Sequence, residues 1–281
     1  MNISTGLLLL IIGLLAGGYG SIVGAGGGFI FVPALLLLFK ISPTIAAGTG
    51  LVIVLINSLS GVVGYARQNR IHYRTGVILS IGAFPGALLG VWVLEIYSST
   101  YFYIIFGSIL TILGIFLILK NTGFKKTKVI DNQYQKNSIN EVAATTSSLM
   151  ENNKYILERS ETKNIQVRWL IPIGFFMGIL SSYLGIGGGW LLVPLLIYFF
   201  RVPTHNATAT SIFSLCLYSS VGVILQIWNN NIDWLIVLMG GIGIIIGSQL
   251  GVFLSQKIPS RIIMQMLSIL LIAIGIRMYF H

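Results

Sequence analysis

The chain contains one glycine cluster that occurs twice. The second copy reads Gly185-Ile-Gly-Gly-Gly-Trp-Leu-Leu-Val-Pro194, and the first reads Gly24-Ala-Gly-Gly-Gly-Phe-Ile-Phe-Val-Pro33. Both lie between apolar runs, and their first glycines are 161 residues apart. The same offset holds without a gap from about Gly6 to the end of the chain, so the sequence is one unit written twice.

The composition places both clusters in a membrane. Hydrophobic residues make up 55% of the chain and charged residues only 9%, with a mean hydropathy of +0.90. The net charge is +10, but most of the 17 Lys and Arg residues fall in short loops and one linker, which is the positive-inside pattern. We therefore expect a lipid bilayer and not a nucleic acid as the surrounding partner.

Within a membrane segment, the glycine clusters predict breaks in the helix. A glycine costs about 1 kcal/mol relative to alanine in a helix, and three in succession free the backbone. Matching breaks in two halves of a membrane protein point to a transporter's binding site. The alternative is that the glycines only let helices pack closely. Contiguous glycines followed by a proline favour breaks, because packing needs only glycines spaced four apart.

The apolar segments give the expected organisation: an all-α polytopic membrane protein. Each half should hold a long segment, a break, a short helix of about 16 Å that cannot span alone, and three full transmembrane helices. We predict a first repeat over 1–120, a polar cytoplasmic linker over 121–166 and a second repeat over 167–281. The linker is rich in Asn, Ser, Thr, Lys and Glu and holds five of the seven acidic residues, as expected of a solvated segment.

The distribution of charge favours two repeats of inverted topology. If each short helix crossed the membrane, Arg201, Lys257 and Arg261 would lie opposite the linker. If each short helix turns back, they share the linker's face, and only Lys40 and Arg277 are left on the other. We therefore expect both termini outside and the linker inside a multi-pass protein of the plasma membrane.

In the inverted arrangement, the two short helices point their N-termini at one cavity in the middle of the membrane. Free N–H groups and about half a positive charge at each terminus attract an anion. Hydroxyl groups on the next helices can donate hydrogen bonds, although such groups commonly bond to their own helix instead. His205 is a candidate because its reference pKa lies near physiological pH. The predicted substrate-binding residues are Gly26, Gly27, Gly28, Phe29, Thr49, Ser58, Gly187, Gly188, Gly189, Trp190, His205, Thr210, Ser211 and Ser219.

No catalytic residue, cofactor or metal is expected. Cys216 is the only cysteine, and the three histidines are scattered. No phosphate-binding loop and no Ser/His/Asp arrangement is present, so the chain is not expected to be an enzyme. No acidic residue lies in the middle of a span, so the usual carboxylate proton relay is missing. A coupling proton or ion and the oligomeric state stay open.

The chain resembles the TauE/SafE family of sulfite exporters, also called the toluene sulfonate uptake permease family. The resemblance rests on GAGGGFIFVP and GIGGGWLLVP in the two halves and on the Ala-Thr-Ala-Thr-Ser211 run after the second. It implies a secondary transporter that moves small sulfur-containing anions, such as sulfite, thiosulfate, sulfoacetate or sulfonates, by alternating access. The alternatives are an anion channel and a non-transporting membrane scaffold.

Overall fold

The computed structural model describes residues 3–96, 100–123 and 167–279, and all regular secondary structure within these ranges is helical. The all-α prediction is thus confirmed. The predicted linker lies almost wholly outside the described residues, so its boundaries stay a prediction. The described ranges contain ten helices: α1 (Ile3–Val23), α2 (Gly28–Leu37), α3 (Pro43–Arg67), α4 (Tyr73–Ile96), α5 (Thr100–Gly123), α6 (Val167–Leu184), α7 (Gly189–Tyr198), α8 (Thr204–Trp228), α9 (Trp234–Ser255) and α10 (Ser260–Tyr279).

The helix lengths agree with a membrane-spanning bundle. Seven of the described helices are long and apolar enough to cross a membrane, namely α1, α3, α4, α5, α8, α9 and α10. The short helices α2 and α7 have 10 residues each, about 15 Å. They begin and end at positions 161 residues apart, as do α3 and α8. Equivalent sequence therefore gives equivalent structure in the two halves.

Local chemistry explains several helix ends. Proline occupies the first position of α3, where its missing N–H costs no hydrogen bond. At the start of α9, the Asp233 carboxylate accepts the N–H groups of Leu235 (3.0 Å) and Ile236 (3.2 Å). The turns repeat as well, since Asn69 and Asn230 are equivalent and both have positive φ.

The two halves are held together by exchanged helix pairs. Helix α1 packs on α9 and α6 packs on α4, so the first helix of each half lies against the fourth helix of the other. Backbones touch in both seams: a β-carbon added at Gly247 would overlap the carbonyl oxygen of Leu14, and one added at Gly178 would overlap that of Ala83. Small residues therefore allow the backbones of these helices to approach closely, as is usual in membrane proteins.

The order of contacts gives the relative direction of the helices. Along α1, Gly13 faces Gly240 and Gly17 faces Ile244, so α1 and α9 run in parallel. In contrast, α3 and α8 are antiparallel, since Gly61 faces Ile212 while Gly222 faces Leu51. The same reasoning makes α4 and α6 parallel, α3 and α9 parallel, and α5 and α10 antiparallel. Consequently α3 and α9 end, and α4, α6 and α8 begin, at one end of the bundle, which we call the linker-side end.

We expect the α1–α9 seam to tolerate no side chain at Gly247. Gly247→Ala should destabilise the protein by about 1–3 kcal/mol, because the added methyl must push two backbones apart. Gly241→Ala in the same helix is the matched control, since its β-carbon would meet only Ile56 Cδ1 at 3.4 Å, an ordinary contact. Thermal unfolding of the detergent-solubilised variants measures the difference, and equal unfolding temperatures would contradict a seam of touching backbones.

Candidate functional site

The first break runs from Gly24 to Gly27 between α1 and α2. Gly24, Gly26 and Gly27 have φ of 82°, 82° and 74°, a conformation that residues with a β-carbon rarely adopt. The N–H groups of residues 24–26 all bond to the carbonyl of Gly20. Within the described chain, no hydrogen-bond acceptor meets the N–H groups of residues 27–29, although these residues are buried. The start of α2 therefore presents free donors in the interior.

The second break, between α6 and α7, is similar but not identical. Gly185 and Gly187 have φ of 69° and 74°, whereas Gly188 has a φ of −83°. The N–H of Gly188 donates to the hydroxyl oxygen of Tyr218 at 2.9 Å. The N–H groups of residues 189 and 190 meet no acceptor within the described chain. This helix start thus has one donor already satisfied by a side chain.

The two breaks lie against each other in the middle of the bundle. A β-carbon added at Gly28 would lie 2.8 Å from Ile186 Cα, and one added at Gly189 would overlap the carbonyl oxygen of Gly24. The first break turns the chain back onto α1, because a β-carbon added at Gly27 would lie 2.8 Å from the Ala16 carbonyl oxygen. The starts of α2 and α7 are thereby brought together, and with them the predicted residues 26–29 and 187–190.

Two equivalent apolar side chains, Val54 on α3 and Leu215 on α8, cover both breaks. Added β-carbons at Gly26 and Gly187 would each meet Val54 and Leu215 within 3.1 Å. All residues from 23 to 29 and from 181 to 190 are buried. The breaks are therefore buried, with an apolar pair over the helix starts.

The predicted serines differ in what they bond. Ser211 donates its hydroxyl to the carbonyl of Gly24 at 2.8 Å and so holds the first break. The Ser58 hydroxyl is fully buried and makes no hydrogen bond within the described residues, and it would lie 3.8 Å from a β-carbon added at Gly26. Its equivalent Ser219 donates to the carbonyl of Leu215 in its own helix. Ser58 is therefore available to a ligand at the first break, whereas Ser219 is occupied.

The predicted threonines bond to backbone groups outside the breaks, and His205 lies at one end of the bundle. The Thr49 hydroxyl accepts the N–H of Asp233 at 3.0 Å, and the Thr210 hydroxyl accepts the N–H of His72 at 3.0 Å. Each threonine thus fastens the start of a helix from the other half, one toward each end of the bundle. His205 lies in the first turn of α8, at the linker-side end.

Tyr218, a buried polar residue near the second break, is absent from the predicted set; its equivalent in the first half is Asn57. Both are at most 1% exposed, and the Asn57 amide nitrogen has no hydrogen-bond partner among the described residues. The indole N–H of Trp190 is also buried without a partner. Position 218 is equivalent to position 57 by the repeat offset, and this equivalence is the signal that could have found Tyr218.

The chemistry available at the breaks is hydrogen-bond donation without a cationic side chain. In the described ranges, no group of three or more His, Cys, Asp or Glu side chains is placed to hold a metal ion. The only acidic side chains described, Glu95 and Asp233, lie at helix ends. Free N–H groups, a hydroxyl and an amide nitrogen suit a small anion with several acceptor oxygens.

Known proteins similar to this chain are described as membrane transporters. A probable membrane transporter protein of Bacillus subtilis, YunE, is 30% identical over 282 residues, covering 98% of this chain and 97% of the relative. The probable membrane transporter MJ0441 of Methanocaldococcus jannaschii is 28% identical, covering 96% and 94%. A sulfite exporter TauE/SafE family protein of Arabidopsis thaliana is 34% identical, but only over 32% of this chain and 20% of the relative. No solved structure matches the chain.

The family model for the sulfite exporter TauE/SafE matches residues 9–278, which includes both breaks and both repeats. The relatives are described as transporters and not as enzymes. This chain therefore belongs to the TauE/SafE sulfite exporter family of membrane transporters.

Proposed function

We propose that this protein is a secondary transporter for small sulfur-containing anions and binds them between the two helix breaks. The observation that carries the proposal is the meeting of two helix starts, each with buried N–H groups that have no acceptor. Each hydrogen bond from such a group to a charged ligand contributes about 1.5–3 kcal/mol. Sulfite, thiosulfate, sulfoacetate and sulfonates all offer several oxygens around one sulfur, which suits donors converging from two sides.

Inverted repeats would make this site accessible from either face in turn. The antiparallel contact of α3 with its equivalent α8, and of α5 with α10, supports such an inversion, because repeats related by an axis along the membrane normal would keep equivalent helices parallel. Movement of Val54 and Leu215 away from the breaks would open the site. The tight α1–α9 and α4–α6 seams would then move as rigid pairs, since their backbones already touch.

The charges favour a cytoplasmic linker and external termini. Among the residues whose side chains are described, six basic ones lie at the linker-side end of the bundle and only Lys40 and Arg277 lie at the other. Basic loops stay on the cytoplasmic side of a membrane. The six are Arg67, Arg70, Arg74, Arg201, Lys257 and Arg261. The plasma membrane is the expected location.

An anion channel and a scaffold are the alternatives. A scaffold has no use for unpaired N–H groups at the centre of the bundle, where each unsatisfied group costs free energy. A channel needs a continuous path, whereas both breaks are closed off by Val54 and Leu215. The closed centre therefore favours a carrier.

Transport kinetics test the function directly. Purified protein in liposomes should take up labelled sulfite with a rate that saturates, and unlabelled sulfite inside should accelerate uptake by exchange. Saturation without exchange acceleration would favour a channel. No flux of any tested sulfur anion, from protein shown to be folded, would refute the proposal.

Substitution of the break glycines tests the site. Gly27→Ala should weaken anion binding ten-fold or more, about 1.4 kcal/mol, because a β-carbon at φ 74° is strained and would approach the Ala16 carbonyl oxygen. Gly188→Ala should have a smaller effect, since its φ of −83° suits alanine and the clash is with the movable Tyr218 hydroxyl. Gly241→Ala is the control. Affinity by calorimetry and unfolding temperature, measured together, separate lost binding from lost folding; parental affinity in Gly27→Ala would place the site elsewhere.

Topology is tested by single-cysteine labelling in a Cys216→Ser background. Cysteines introduced at Asn230 and at Ser260 lie at opposite ends of the bundle. In intact cells, an impermeant thiol reagent should label position 230 and leave position 260 unlabelled until the cells are permeabilised. Labelling of both positions from outside would rule out this orientation and the inverted arrangement with it.

A further inference from the structure

The linker-side end carries basic side chains that the proposed transport site does not use. The loop between α3 and α4 lies against the first turn of α8. The backbone N–H of His72 donates to Thr210 at 3.0 Å, and His72 Nε2 lies 3.1 Å from the amide nitrogen of Asn206. The loop and the start of α8 are thereby fixed to each other.

Arg70 of this loop has a buried nitrogen that lacks a partner. Its Nη1 atom is inaccessible to solvent and makes no hydrogen bond within the described chain. Arg70 stands two residues before His72, whose bonds to Thr210 and Asn206 hold this loop against the first turn of α8, where His205 lies. The described carboxylates, Glu95 and Asp233, both belong to the other end of the bundle. A guanidinium nitrogen that has lost water and gained no acceptor is costly, so its position points to an anionic ligand.

The start of α8 adds further donors. Pro203 precedes the helix and supplies no side-chain cap, and the first bonded N–H is that of Ala207, which donates to Pro203. The N–H groups of residues 204–206 are therefore free, at the positive end of a 25-residue helix. Burial lowers the pKa of His72, so at neutral pH its Nε2 accepts from the Asn206 amide and its proton is on Nδ1.

The equivalent place at the opposite end shows that the fold does not require this cluster. There the repeat replaces Arg70 by Asn231 and His72 by Asp233. The Asn231 amide donates to Gln226 at 2.9 Å, and the Asp233 carboxylate accepts two N–H groups of α9. Thr44 stands where the second half has His205. The same helix ends thus form without any cation, although the buried Gln226 Nε2 atom makes no hydrogen bond within the described residues.

We propose that Arg70, His72, His205 and the start of α8 form a second anion-binding site, which takes a small oxyanion at the linker-side mouth of the protein. The ligand chemistry is a sulfate-like or phosphate-like group, either free in solution or carried by a lipid headgroup. The identification of a free ligand with the transported anion rests on the proposed function, whereas the binding site itself does not.

Inorganic sulfate is the probe, with full-length protein in nanodiscs of neutral phosphatidylcholine. The background is Gly27→Ala, which weakens the proposed site at the breaks. Sulfate binding by calorimetry should survive in this background and weaken ten-fold or more on adding Arg70→Gln. Arg67→Gln is the matched control, because Arg67 is an exposed arginine of the same face and its loss removes the same charge. This control should change affinity less than two-fold.

Arg70→Lys and His205→Gln serve as second variants if Arg70→Gln does not fold. The lysine should bind sulfate less tightly than arginine, because it cannot offer the planar fork, and His205→Gln should weaken binding several-fold. Equal affinity in Arg70→Gln and Arg67→Gln, or no loss in the second variants, overturns the proposal. If sulfate does not bind but phosphatidylglycerol raises the unfolding temperature only when Arg70 is present, the site stands and its ligand is a lipid headgroup. If sulfate binds through Arg70 while no sulfur anion is transported, this site stands and the proposed function falls.

Discussion

The structure depends on hydrogen-bonding the backbone polar groups of the membrane interior, where water is not available to bond them. A membrane helix satisfies its own N–H and C=O groups, so a break exposes several of them at a cost of several kcal/mol each unless something else bonds them. Here the breaks at residues 24–27 and 185–188 are placed side by side and buried together. Some groups find internal partners: Gly20, Ser211 and Tyr218 bond the break backbone. The donors that remain are free to bind a ligand.

The exchanged pairing of helices explains why the two breaks meet. Since α1 packs on α9 and α6 on α4, neither half can complete its packing without the other. Glycines such as Gly178 and Gly247 bring these backbones into contact, so the breaks that follow α1 and α6 are fixed relative to the opposite half. The candidate site therefore needs both repeats, and one repeat could not form it alone.

Much of this architecture could be predicted from the sequence, because glycine and proline act locally. The glycine clusters predict where the helices break, and in the structure α2 begins at Gly28 and α7 at Gly189, inside those clusters. The side-chain partners could not be predicted. Thr49 and Thr210 sit at equivalent positions, as expected, but bond to helix starts, since tertiary contacts decide which N–H a hydroxyl meets. Tyr218 was missed because its equivalent, Asn57, is chemically unlike it.

The differences between the halves matter more for a transporter than the likeness. A ligand shifts a conformational equilibrium only through unequal affinity for the two states, and identical inverted halves would offer the same groups to each face. Any preference for one face must therefore come from positions where the repeat has diverged. Ser211 opposite Gly50 and Tyr218 opposite Asn57 are such positions at the breaks, and Arg70 opposite Asn231 is one at the bundle ends. In the proposed transporter, direction and selectivity would reside in these pairs, while the glycines that both halves share provide the binding geometry.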